Sequence, residues 1–121
     1  MPRADPRRQA DGATAEALAA RHLERRGLAV IARNVRSRFG EIDLVARDGD
    51  TLVFVEVRLR RSARFGGASE SITAAKRARI LAAAEGYLAT LARTPACRVD
   101  AILLDGLDAS RIEWLRDVAG G

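Results

Sequence analysis

The stretch Gly40–Arg60, GEIDLVARDGDTLVFVEVRLR, decides how this chain folds. Apolar residues alternate over Ile42–Ala46 and again over Leu52–Leu59, which predicts two strands of a hairpin with RDGD, residues 47–50, as the turn. Four charged residues interrupt the pattern: Glu41, Asp43, Glu56 and Arg58. Strict alternation places Glu41, Asp43 and Val45 on one face and Ile42 and Leu44 on the other, while Phe54, Glu56, Arg58 and Arg60 share a face of the second strand. A two-residue turn at Asp48-Gly49, or a four-residue loop 47–50, pairs Ala46 with Thr51. Asp43 then faces Phe54, Glu41 faces Glu56, and Asp43 lies diagonal to Glu56 at roughly 7–8 Å between backbones. A three-residue loop would shift the register by one and send Asp43 to the opposite face.

Carboxylates gathered on one patch repel and raise each other's pKa. A divalent cation offsets this directly, because hard carboxylate oxygens suit Mg²⁺ or Mn²⁺. Arg58 can do part of the same work. The plainer alternative is an edge hairpin with a solvated charged face and a weak Glu–Arg surface pair.

Working outward, residues 13–26, ATAEALAARHLERR, predict a helix capped by Gly27, with the preceding 1–12 read as a disordered segment. Leu28–Ala32 predicts a short strand. SARFGGASES, 62–71, reads as a loop, and a second helix follows from Ile72 or Thr73 to Ala92. Arg98–Leu104 predicts a strand, and Arg111–Leu115 either a last strand or a short helix. The result is a single α/β domain over 13–118, with 119–121 as a tail. Its order is α-β-β-β-α-β with room for one more short strand, and the connection through the second helix makes the sheet mixed. Two helical residues join the question of the charges. Glu16 shares a stripe with Ala20 and Leu23, so it points into a polar site or snorkels to water. Lys76 opens the second helix on the stripe of Ile80, Ala83 and Tyr87, and is otherwise a solvated lysine.

The 121 residues carry a net charge of +5 and a sequence pI near 10.8, which favours polyanionic partners such as nucleic acid. Twenty of the 21 basic residues are arginine and one is Lys76. One cysteine, Cys97, excludes an intramolecular disulfide and fits a cytoplasmic location. No apolar run reaches the roughly 20 residues of a membrane span, and no signal peptide is visible at the N-terminus. Only one Trp and one Tyr are present, which argues against a stacking-based single-strand binder.

The segments NVRSRFGEIDL and FVEVR, with an acid in the first helix, SITAAK at the second and RVDAI in the following strand, resemble the YraN family of predicted bacterial endonucleases over about residues 12–118. The resemblance implies a restriction-endonuclease-like fold, related to archaeal Holliday junction resolvases, with a central mixed sheet flanked by helices. It implies a site in which Asp43, Glu56 and the carbonyl of Val57 hold Mg²⁺ or Mn²⁺, with Glu16 joining directly or through water. The lysine of the wider superfamily's E-x-K motif falls on Arg58. An arginine clamps phosphate but accepts a proton poorly, so either the metal alone activates the attacking water or Lys76 takes that role. Arg36, Arg38, Arg60, Arg61 and Arg64 would engage neighbouring phosphates without reading sequence.

The resulting expectation is a metal-dependent DNA endonuclease acting on duplex, branched or junction DNA, with a homodimer implied by the resemblance alone. Its rival is a nucleic-acid-binding or adaptor protein on the same fold with weak or no catalysis. A third reading has the basic surface dock an acidic protein.

Overall fold

Alanines and leucines at helical spacing lay one apolar stripe along helix α1 (Pro6–Arg25): Ala15, Ala19, Ala20 and Leu23 are buried. The computed structural model describes residues 6–60, 74–107 and 111–118, and the side chains of 6–11 and 60 are not among those described. The helix begins at Pro6, earlier than the expected Ala13, so residues 6–12 of the segment read as disordered are helical. Proline suits a first helical position because its missing N–H would have no intrahelical partner there. Gly27 ends the helix as expected. It sits at φ +92°, its N–H donates to the Glu24 carbonyl (3.1 Å), and the Leu28 N–H reaches back to the Leu23 carbonyl (3.1 Å). This is the Schellman arrangement that satisfies the last carbonyls of a helix.

The chain then forms β1 (Ala29–Ser37), β2 (Gly40–Asp48), β3 (Thr51–Arg60), helix α2 (Ala74–Leu88), β4 (Cys97–Asp105) and β5 (Ile112–Leu115). The last element is therefore a strand, and α2 stops at Leu88 rather than Ala92. There the chain tightens into turns, with Thr90 N–H and Oγ1–H both donating to the Tyr87 carbonyl (3.0 and 2.6 Å). The five strands lie in the order β1-β2-β3-β4-β5, parallel only between β3 and β4 and antiparallel elsewhere. The protein is thus an α/β domain with a mixed sheet flanked by two helices.

Each face of the sheet has its own core. Leu44, Ala46, Val53, Val55, Ile102 and Leu104 pack beneath α1. Ile42, Val45, Leu52, Phe54 and Val99 pack beneath Ile80, Ala83 and Ala84 of α2. The far edge is fixed by Asp100, fully buried in β4. Its carboxylate accepts from Trp114 Nε1 (2.9 Å), the Asp117 N–H (2.9 Å) and Arg98 Nε (3.1 and 3.2 Å). Arg98 also reaches Asp48 Oδ2 at 3.1 Å, tying the β2–β3 turn to β4. Among the described residues, no helix is long and apolar enough to cross a membrane.

Two details of the hairpin differ from the sequence reading. Asp48 pairs with Thr51, so the turn is the two residues Gly49-Asp50, with Gly49 at φ +60°. Glycine is the residue that tolerates positive φ at the first central position of such a turn. The whole register therefore moves by two from the expected Ala46–Thr51 pairing: Ala46 faces Val53, and Phe54 faces Val45 rather than Asp43. A shift of two preserves the faces. Strict alternation, however, fails near Asp43. Ile42 packs with Val45 under α2, while Leu44 packs under α1. On β1, Val35 and Ala32 likewise share the α2 face although three residues apart. Between them Asn34 sits at φ +51°, a conformation asparagine tolerates better than most residues. Both strands are thus interrupted together, at Asn34 and Asp43.

Candidate metal centre

The interruption places Asp43 where β2 leaves β3. Their ladder ends at Leu44–Val55, although β3 continues to Arg60. A backbone N–H left there needs an acceptor. The Val57 N–H finds it in Asp43 Oδ2 at 2.8 Å. Because that N–H lies in the plane of the sheet, the Asp43 carboxylate lies beside the edge of β3, within reach of side chains from either face.

Acids arrive from both. Glu16, on the stripe of α1, and Glu41, two residues before Asp43 on β2, each bring a carboxylate oxygen to Asp43, all within 4.8 Å of one another. Glu56 is 6% exposed on β3, and Lys76 Nζ at the start of α2 lies 2.5 Å from its Oε1. Burial, then Glu56, and more weakly Glu16, push the Asp43 carboxyl up to about 8, against the pull of the Val57 N–H. Burial and Glu41 also raise Glu16, opposed by a hydrogen bond from Asn34 and by the charge of Arg33.

Asn34 is the neutral partner of this cluster. With its amide oriented by its all-acceptor surroundings, the nitrogen donates to Glu16 Oε2 and Oε1 (3.1 and 3.2 Å) and to Glu41 Oε1 (2.9 Å). Its positive φ and its bridging amide belong together, since the backbone kink aims the side chain at the acids. The sequence reading did not single out Asn34 and left Glu41 out of the ligand set. A polar residue tolerant of left-handed backbone, inside a strand pattern and just ahead of an E-x-D pair, was the available signal.

The donor set fits a hard divalent cation. Three carboxylates from two elements converge, and the oxygens around a cation with ~2.1–2.6 Å bonds lie roughly 3–5 Å from one another. A raised pKa is what such a set carries while its charges face one another uncompensated.

The other expected site residues divide three ways. Val57 lies beside Asp43 through its N–H. Arg58 is exposed on β3, and Lys76 rather than Arg58 is the cation placed on Glu56. Glu41, expected opposite Glu56, instead pairs across the ladder with Arg36 of β1. The Arg36 side chain is 82% exposed and reaches Glu41 only at 3.9 Å, so it remains available to solvent anions. Arg38 is also exposed. Arg61, Arg64 and the loop 62–71 lie outside the described residues, as does the side chain of Arg60.

Comparison with known proteins places these residues in a family. The model of the uncharacterised protein family UPF0102, which is the YraN family, matches residues 15–104. A UPF0102 protein of Methylobacillus flagellatus is 58% identical over 88% of this chain and 93% of its own length. One from Ralstonia nicotianae is 57% identical over 95% of this chain and 90% of its own. A third, from Cupriavidus taiwanensis, is 55% identical over 93% of this chain and 84% of its own.

Proposed function

We propose that this chain, which belongs to the uncharacterised protein family UPF0102, is a metal-dependent DNA endonuclease that hydrolyses phosphodiester bonds, branched DNA included. The observation that carries the reading is the convergence of Glu16, Glu41 and Asp43 within 4.8 Å, with Asp43 held up to about 8 and a Lys76–Glu56 pair nearby. That is an arrangement costly to a domain with no use for it.

In this reading Glu16, Glu41 and Asp43 hold Mg²⁺ or Mn²⁺, and Glu56 and the Val57 carbonyl stand next to them. The cation, when bound, supplies positive charge to the scissile phosphate and acidifies a water. The rest falls to the chain. The Val57 N–H fixes one oxygen of Asp43 and so holds its carboxylate beside Glu16 and Glu41. Asn34 orients those two acids. Lys76 Nζ holds Glu56 beside the cluster and is the side chain assigned the proton-transfer role that an arginine cannot fill. Arg58, Arg36 and Arg38 grip phosphate oxygens along the strand, without reading bases. A homodimer, which would present two such sites to opposed strands, is part of the same proposal.

The test is cleavage of linear and branched DNA by purified protein in Mg²⁺ or Mn²⁺. Lys76→Met is expected to slow cleavage roughly 10²-fold, as loss of a positioned proton-transfer group does, whereas Arg93→Met, at an exposed position, leaves it within a factor of two. Equal rates for the two variants would return Lys76 to an ordinary surface role. Arg58, exposed and unable to serve as a base, is the feature that favours the non-catalytic rival. A protein that binds DNA in a salt-dependent way but never cuts it, with or without metal, would decide for that rival.

A further inference from the structure

Phe39 stands at the tip of the β1–β2 hairpin with 45% of its surface exposed. A single exposed aromatic residue is ordinary; this one is held in place. Ser37 pairs with Gly40, so the loop is the two residues Arg38-Phe39. Ser37 Oγ accepts from the Phe39 N–H (3.1 Å) and donates to the Gly40 carbonyl (3.2 Å). Gly40 takes φ +147°, which favours glycine, and the stem of Arg79 on α2 lies against it, 3.6 Å from where a β-carbon would be. The Arg38 guanidinium sits over the Phe39 ring, 4.7 Å from its centroid. The tip is therefore a fixed aromatic surface carrying positive charge, with Arg36 and Arg79 exposed beside it.

Its position relative to the acids is equally fixed. Glu41 and Asp43 lie on β2, two and four residues after Phe39 in the loop, roughly 7 and 13 Å from it at strand spacing. A nucleic-acid strand advances about 3.4 Å per phosphate along a duplex axis, and roughly twice that where it is unpaired and extended. A strand whose phosphate sits at the acid cluster would thus pass the hairpin tip about one to four nucleotides away.

We propose that Phe39, with Arg38 behind it, stacks on a nucleobase that has left its pair, about one to four nucleotides from the phosphate at the acid cluster. This rests on the nucleic-acid reading above and adds to it a base-contacting residue. Aromatic stacking needs an open π-face, which an intact duplex offers only at an end or a break. The arginines around the tip complement the phosphates flanking such a base. One ring accommodates one base, in keeping with a chain too poor in aromatic residues to build a stacking platform.

Equilibrium binding in EDTA, where nothing is cut, tests this. The probes are a forked duplex with 2-aminopurine at its first unpaired positions and a fully paired duplex of equal length. Wild type is expected to bind the fork about tenfold more tightly than the paired duplex and to quench the 2-aminopurine. Phe39→Ala is expected to lose the quench and most of the tenfold preference while binding paired duplex as before, and Phe39→Trp to restore both. The inference is overturned if Phe39→Ala keeps the preference and the quench, if it weakens both DNAs equally, if wild type binds neither, or if the substitution only turns a dimer into a monomer in sedimentation. Quenching by a protein that never cleaves DNA in Mn²⁺ would support the stacking role while removing the hydrolytic one.

Discussion

Asp43→Asn is expected to abolish cleavage and, in metal-free buffer, to stabilise the fold at alkaline pH. The two effects have one cause. Asp43 is the carboxylate with neighbours on both sides, Glu16 and Glu41 on one and Glu56 on the other. Its carboxyl is raised from 3.8 to about 8 in the folded chain. Below about pH 4 folded and unfolded chains both carry the proton, and the group costs nothing. Between there and about pH 8 the folded chain keeps a proton the unfolded chain has released, so stability falls as pH rises. Above pH 8 the full penalty applies, on the order of several kcal/mol. An amide keeps an acceptor oxygen for the Val57 N–H but carries no charge. Thermal melts in EDTA should therefore show the variant near wild type at pH 4 and several degrees above it at pH 9. Mn²⁺ should raise the wild-type midpoint at pH 8 and leave the variant unmoved. Cleavage should drop on the order of 10³-fold. A variant less stable than wild type at pH 9 would mean that Asp43 is an ordinary structural carboxylate.

Asp100→Ala is expected to do the reverse, costing stability through a residue with no place in the chemistry. Its buried carboxylate satisfies the Trp114 indole, the Asp117 N–H at φ +55° and the Arg98 guanidinium. Removing it takes this acceptor from the indole and the Asp117 N–H and one of two carboxylates from Arg98, which keeps Asp48. Breaking a buried ion pair from one side costs about 3–5 kcal/mol, which for a domain of this size lowers the midpoint by roughly 10–20 °C. The Trp114 ring, edge-on to His22 at 6.1 Å and covered by Arg116 at 4.2 Å, should lose its fixed setting, visible in near-UV circular dichroism. Asp50→Ala, at an exposed turn position, is the control. Equal melting of the two variants would show that the Asp100 network contributes nothing net.

The fold was largely legible because its elements announce themselves by period. α1 has an apolar stripe and a glycine stop, the hairpin alternates around a glycine turn, and AILL in β4 reads as a buried strand. Glu16 and Lys76 were legible as charged residues on apolar stripes, and both reach the site. What escaped was whatever depends on a break in the period. The turn could be centred on Gly49 in more than one way, and composition alone did not choose among them. The paired interruption at Asn34 and Asp43 leaves a regular-looking sequence on either side, yet it turns Ile42 to the α2 core and puts Asp43 in the plane of the sheet. Asn34 and Glu41 owe their place in the cluster to that interruption. Asp100 was legible only as part of a family-like segment, since nothing in RVDAI tells that the Asp is saturated by a tryptophan and a backbone N–H fourteen and seventeen residues later.

All of this depends on one place in the molecule binding a divalent cation. Anomalous diffraction from crystals soaked in Mn²⁺ at pH 8 reads that place directly. A peak within bonding distance of the carboxylates of Glu16, Glu41 and Asp43, lost in Asp43→Asn crystals, is the predicted result. Strong peaks elsewhere on the protein, with none between α1 and the start of β2, would contradict it.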